Sequence, residues 1–108
     1  MARAPEPPFQ VSNSQRVAEQ TRELGQLAAT RGAGALFAAA VRTIHERLES
    51  APLEWGEPRY HLRAMGLLVC HAIHAMLHVS YAVDEARRIV YILAIEPVPH
   101  GLLDQDPQ

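Results

Sequence analysis

The fold is decided by residues 76–95, which read MLHVSYAVDEARRIVYILAI. From Met76 to Val83 apolar and polar side chains alternate, which is the period of a strand covered on one face. Residues 84–87 are mostly polar and predict a hairpin turn. Arg88–Ile95 is mostly apolar and rich in β-branched and aromatic side chains, as is typical of a central strand. The stretch therefore predicts a β-hairpin at the centre of a sheet.

Further strands are expected on the N-terminal side of this hairpin. Arg59–Ala64 alternates with a period of two, and Leu67–Ile73 is strongly apolar. Residues 66–76 lack clean alternation, so a helix remains an alternative there. Phe9–Val11 predicts a short edge strand near the N-terminus. The sequence thus predicts a meander of three or four strands with one further strand at its edge.

Two helices are predicted before the meander, at about 14–30 and 35–49. Ser12, Asn13 and Ser14 offer N-caps for the first helix, and Gly32 with Gly34 permits the chain reversal between the two. The second helix carries an apolar stripe that we expect to form core: Leu36, Phe37, Ala40, Val41, Ile44 and Leu48. Helices that precede the strands predict an α+β domain, with a helical hairpin packed on a small antiparallel sheet.

Length and composition are those of one small domain. The chain has 108 residues, and we expect a folded domain at 9–101 between a disordered tail at 1–8 and a flexible tail at 102–108. Cys70 is the single cysteine, which excludes an intramolecular disulfide and favours the cytoplasm. No apolar run is long enough to span a membrane, so no membrane association is expected. The formal net charge of −2 gives no overall support for a nucleic-acid partner.

Three segments in a fixed order carry a resemblance to a known family. They are PRYHLR at residues 58–63, HVSYAVDE at 78–85 and RIVYILAI at 88–95. Behind a helical hairpin, this order resembles the RelE/ParE superfamily, the toxins of bacterial type II toxin–antitoxin systems, over residues 9–100. The resemblance implies a RelE/ParE-like fold and a protein antitoxin as partner. It also implies a target, which is messenger RNA on the ribosome for the RelE branch and DNA gyrase for the ParE branch.

RNA cleavage in such a fold needs no metal or cofactor, and none is expected here. It needs a base for the ribose 2′-OH, cations for the charged phosphorane and an acid for the leaving oxygen. If Tyr60 and Leu62 face the helices, then the side chains between them face outward, as do those between the apolar residues of 77–83. This alternation yields candidate catalytic residues His61, Arg63 and His78, and candidate substrate-binding residues Arg59 and Ser80.

The segment after the last strand departs from the nuclease branch of the family. That branch usually has an arginine there, and often a terminal tyrosine or histidine, whereas this chain has Glu96 and Pro97. His100 is therefore the remaining candidate for the acid. A metal site formed by His71, His74 and His78 would require a helix, because their spacing does not fit one face of a strand. We therefore expect no metal site. The alternative function is a non-catalytic module, of ParE type or degenerate, that acts by protein–protein interaction.

Overall fold

A computed structural model describes residues 7–104 of the chain. The helical hairpin and the strands that follow it lie in the predicted order, and none of the helices in this range is long and apolar enough to cross a membrane. The elements are β1 (Gln10–Asn13), α1 (Gln15–Thr30), α2 (Gly34–Ser50), α3 (Pro52–Trp55), β2 (Glu57–Leu62), a 3₁₀ turn (Arg63–Met65), β3 (Leu67–His74), β4 (Leu77–Asp84) and β5 (Ile89–Pro97). The segment that could have been helical is thus strand β3.

The five strands form one sheet in the order β1-β5-β4-β3-β2. Strands β2 to β5 make an antiparallel meander, and β1 joins its far edge parallel to β5. Parallel neighbours need a long connection, which here is all the chain between β1 and β5. The α+β class is confirmed, and the sheet predicted to be antiparallel is mixed because of this one pairing.

The helices cover one face of the sheet and bury a single core against it. The inward side of β4 supplies four fully buried residues, Leu77, Val79, Tyr81 and Val83. From α2, Phe37, Ile44 and Leu48 pack into the same core. Leu36 was expected there and is instead 64% exposed. It lies about 100° around the helix from Phe37, outside the face that Phe37, Ile44 and Leu48 share.

Packing extends on both sides of the predicted domain limits. Arg88 donates hydrogen bonds to the carbonyl oxygen of Pro7, and Leu103 is fully buried in the core. Arg31 donates to the carbonyl oxygen of Leu102 over 2.6 Å, which ties this segment to the end of α1. The rest of the two predicted tails, residues 1–6 and 105–108, lies outside the described residues.

Candidate functional site

The face of the sheet away from the helices, which we call the open face, carries the candidate site. Directly opposed residues of an antiparallel pair point to the same face. Ala82 is opposite both Val69 and Tyr91, and it alternates along β4 with the core residue Tyr81. The side chains of the open face therefore include Tyr60, Leu62, Leu67, Val69, His71, Ile73, His78, Ser80, Ala82 and Tyr91. Several are apolar and exposed, among them Tyr60 at 55% and Ile73 at 62%.

One end of the open face is an apolar hollow of about 560 Å³. Residues 12–14 border it from the β1 side of the sheet, and Leu62 with Met65 borders it from the β2 side. Because both edges of the sheet border one hollow, the sheet curves around it. Asp84 and Arg87 also line it, and the Asp84 carboxylate accepts a hydrogen bond from the Arg87 amide at 3.1 Å. This apolar hollow is large enough for side chains of a partner.

The other end of the open face is polar and holds a histidine cluster, Glu57, His71 and His78. Nδ1 of His71 lies 3.1 Å from Nε2 of His78, and Nε2 of His71 lies 3.6 Å from Oε2 of Glu57. The register explains the contact: His71 is opposite Ser80 and His78 is opposite Ile73, which makes the two histidines diagonal neighbours. The cluster borders a cavity of about 410 Å³ lined by Arg59, Tyr60, Val69, Cys70, His71, His78, Ser80 and Leu93.

A β-bulge in β2 sets which of its side chains reach the open face. Pro58 is opposite Cys70 and Tyr60 is opposite Val69, so Arg59 is an extra residue in the strand. After the bulge the alternation is shifted, and His61 is opposite Leu68, which packs against the core. The expectation that Tyr60 and Leu62 face the helices is therefore wrong. Both point to the open face, and His61 points to the helix side.

The candidate site residues consequently separate into three places. Arg59, His78 and Ser80 line one cavity on the open face. His61 and Arg63 line a different hollow together with Leu53, Leu68 and Glu85. His100 lies in the turn after β5, where its amide donates to the Asp104 carboxylate at 2.7 Å. The prediction that His61, Arg63 and His78 share a surface is wrong, because the bulge turns His61 to the other face.

Two members of the histidine cluster, Glu57 and His71, are not among the catalytic or substrate-binding residues that the sequence selected. Diagonal pairing across the β3–β4 hairpin would have identified His71, but it requires knowing that residues 67–74 are a strand. His74 is opposite Leu77 on the helix side, so the three histidines of this segment do not meet. Between residues 7 and 104, no group of three or more His, Cys, Asp or Glu side chains is arranged to hold a metal ion.

The layer beneath the histidine cluster is closely packed and uncharged. The Tyr81 hydroxyl donates to the Pro52 carbonyl oxygen at 2.6 Å, and the Trp55 ring stacks on Tyr81 with centroids 6.0 Å apart. Burial raises the pKa of both Tyr81 and Cys70 above their ordinary values. Cys70 is thus held as a neutral thiol and is unsuited to act as a nucleophile.

Comparisons with known proteins place this fold. No protein-family model and no curated protein matches the sequence. Among solved structures, the chain is similar to one chain in the crystal structure of the toxin–antitoxin complex RelBE2 from Mycobacterium tuberculosis. The TM-score is 0.61 at 21% identity, over 84% of this chain and 92% of that chain. At that identity the likeness concerns the fold, and it confirms what the order of segments predicted: this chain has a RelE-like fold.

Proposed function

We propose that this protein is the cytoplasmic toxin of a type II toxin–antitoxin pair and that its antitoxin covers the open face. The observation that carries the proposal is the one-sided sheet. Its uncovered face exposes apolar side chains that a lone domain would normally bury, including Leu62, Met65 and Leu93. The likeness to a chain of a toxin–antitoxin complex supports a protein antitoxin as the partner.

The antitoxin segment that fits this face is apolar on the side that enters the hollow. The larger apolar residues that line the hollow include Leu62, Met65, Leu67, Tyr91 and Leu93, and Asp84 and Arg87 are charged groups of the lining. Asp84 is already bonded to Arg87, so a partner meets a carboxylate that is partly neutralised. An amphipathic helix laid in the groove satisfies these conditions, because its apolar face buries the leucines and its polar face stays in water.

The activity that we propose for the free toxin is metal-independent cleavage of messenger RNA on the ribosome. The cavity at the polar end of the open face combines a cation, an imidazole pair and a hydroxyl within one surface. Arg59 supplies positive charge for a phosphate, and Ser80 supplies a hydrogen bond. Tyr60 is exposed beside them and offers a ring on which an unpaired base can stack. His78 supplies the acid–base group.

A second candidate is a non-catalytic toxin that binds a protein target such as DNA gyrase. The apolar hollow favours it, because such a surface is suited to protein contacts. Charge also favours the non-catalytic candidate, because RNA binding needs positive charge. Among the described residues that line the cavity beside the histidine cluster, Arg59 is the one arginine or lysine, and Glu96 is opposite His78. This candidate predicts growth arrest while cellular messages stay intact.

Inducible expression with and without the adjacent gene tests the toxin assignment. We expect arrested growth when the protein is expressed alone and restored growth when a neighbouring antitoxin gene is expressed with it. Message integrity, read in the same cultures, separates the two candidates. Cleaved messages support the ribonuclease, whereas intact messages during arrest support the protein-binding toxin. Normal growth of cells that contain the folded protein contradicts both.

A charge placed in the hollow tests where the antitoxin binds. Leu62→Glu puts a carboxylate on the open face, and we expect it to weaken the complex with the co-expressed antitoxin at least about tenfold. Leu36→Glu is the matched control, because Leu36 is equally apolar and more exposed but lies on α2. Titration calorimetry on the two variants gives the affinities. If Leu36→Glu weakens binding and Leu62→Glu does not, the antitoxin binds the helices and the proposed site is wrong.

A further inference from the structure

The histidine cluster leaves one imidazole nitrogen without a partner. Both nitrogens of His71 are engaged, Nδ1 with His78 and Nε2 with Glu57. Nε2 of His78 is engaged with His71, whereas no hydrogen bond to its Nδ1 occurs within residues 7–104. His78 lines the cavity together with Arg59 and Ser80. The open nitrogen of the cluster is therefore Nδ1 of His78, at the surface where we propose that the RNA binds.

The contacts also favour one placement of the protons on the two rings. A carboxylate accepts hydrogen bonds and never donates them, so Glu57 favours a proton on Nε2 of His71. When both rings are neutral, Nδ1 of His71 then has a lone pair and accepts from Nε2–H of His78. With that proton fixed on Nε2, neutral His78 keeps its lone pair on Nδ1. The cluster thus favours the tautomer of His78 in which the open nitrogen, Nδ1, is the basic one.

We propose that His78 is the general base of RNA cleavage, that it acts through Nδ1, and that His71 and Glu57 are positioning residues that fix its tautomer. This inference rests on the proposed ribonuclease activity and adds to it the role of His78 as the base, the nitrogen that acts and the residues that position it. Nδ1 of His78 takes the proton of the ribose 2′-OH. The 2′ oxygen forms a bond to the adjacent phosphorus, and the bond from phosphorus to the 5′ oxygen breaks. The leaving oxygen takes a proton from water, and the resulting hydroxide takes back the proton held by His78. The products are a 2′,3′-cyclic phosphate and a 5′-hydroxyl end, and His78 is neutral again.

The surroundings of His78 stabilise the charge that this step creates. When Nδ1 takes the proton, His78 becomes an imidazolium, and its Nε2–H donates more strongly to His71. The negative charges on this side are Glu57, which contacts His71, and Glu96, which is opposite His78. Arg59 is the cation that lines the same cavity, where it is placed to bind the phosphate. Cys70 and Tyr81 lie beneath and stay neutral because burial raises their pKa values.

Single-turnover cleavage of a ribosome-bound message by the purified protein tests the base. We expect His78→Ala to lose about 10²- to 10⁴-fold of the rate and to regain part of it when free imidazole is added. His74→Ala is the matched control, because His74 is on the same hairpin but opposite Leu77 on the helix side. That variant should cleave at the wild-type rate.

The positioning role of His71 is tested by a conservative substitution. His71→Asn keeps an acceptor near the place of Nδ1, whereas His71→Ala removes it. We expect the asparagine variant to be clearly faster than the alanine variant and to keep the wild-type pH profile. Glu57→Gln should have a smaller effect, because the Glu57 side chain is 87% exposed and its charge is screened. Equal rates for the two His71 variants would overturn the positioning role.

A readout without RNA separates failure of this inference from failure of the proposed function. In ¹⁵N spectra of the imidazole rings, wild-type His78 should carry its proton on Nε2, and His71→Ala should lose that preference. A proton on Nδ1 of His78 overturns the inference, as does wild-type cleavage by a folded His78→Ala. If the wild-type protein arrests growth but cleaves no message, the ribonuclease assignment falls and the assignment of His78 as its base falls with it.

Discussion

At the scale of single residues, the ionisation of the buried Tyr81 side chain is linked to the stability of the fold. It is fully buried, and its hydroxyl donates to the Pro52 carbonyl oxygen at 2.6 Å. Burial raises its pKa above the ordinary value of about 10 that applies to the unfolded chain. A group whose pKa is raised by folding contributes stability that is complete below its unfolded pKa. That contribution is lost as the pH rises through the unfolded value toward the folded one.

The prediction at this scale concerns alkaline stability. The free energy of unfolding of the wild-type protein should fall as the pH is raised above about 10, and Tyr81→Phe should lack that part of the loss. At neutral pH the same variant should be less stable by about 1–3 kcal/mol, because it leaves the Pro52 carbonyl oxygen unpaired. Urea titrations at neutral and alkaline pH measure both effects. Tyr60→Phe, at an exposed position, is the control, and an identical alkaline slope in Tyr81→Phe would contradict the prediction.

The residue scale also shows how far the sequence could go toward the site. Arg59, His78 and Ser80 were selected by alternation, and the structure brings these three together. His71 carries the same imidazole as His78 but was considered for function only as a member of a metal site that would require a helix. A lone histidine in an apolar run gives no signal of its own. What makes His71 a candidate is its distance to His78, and that distance depends on strand pairing rather than on residue type.

At the scale of elements, Gly56 is the joint between α3 and β2, and it lies directly against the central strands. A Cβ atom at this position would lie 2.8 Å from the His71 carbonyl oxygen and still closer to the Tyr81 hydroxyl. Neither group can move freely, since one is strand backbone and the other is a buried ring. Only glycine therefore allows α3 to pack this closely on the sheet.

The corresponding prediction is that Gly56→Ala is destabilising by about 1–3 kcal/mol, the range found for overpacked cores. Gly34→Ala is the matched control, because a Cβ atom there would meet its nearest neighbours at 3.5 and 3.6 Å, an ordinary contact. Urea midpoints of the two variants against the wild type give the comparison. Equal stability of Gly56→Ala and the wild type would show that α3 can shift away from β4.

Most helices and strands could be predicted from the sequence, but the side of strand β2 that faces the core could not. The apolar stripe of α2 and the alternation in β4 each follow one period along their length, so both were predicted correctly apart from Leu36. Strand β2 is exposed along its whole length, and its apolar Tyr60 and Leu62 point to the open face. Polarity therefore does not mark its core side. One extra residue at Arg59 then reverses the alternation, and no period in the sequence reveals a bulge.

At the scale of the whole molecule, one core joins both ends of the described chain. Cys70 is 1% exposed within that core and is the single cysteine, so it can report on global opening. We expect its alkylation in native buffer to be slow and to accelerate with urea in step with unfolding. Burial also raises the pKa of the thiol, which lowers the thiolate fraction further. The fully denatured protein gives the reference rate. A native rate close to that reference would mean that β3 opens without the rest of the domain.

The parallel pairing of β1 with β5 joins two strands that are far apart in the sequence. The second position in the sheet is occupied by β5, the last of the five described strands in chain order, and β1 pairs only with it. A nascent chain on the ribosome can form the helical hairpin early, but the curved sheet has to wait until β5 has emerged. The hollow, which both edges of that sheet border, therefore forms only after β5 has emerged. Under the assignment made above, toxicity and recognition by the antitoxin begin at the same moment in the life of the molecule.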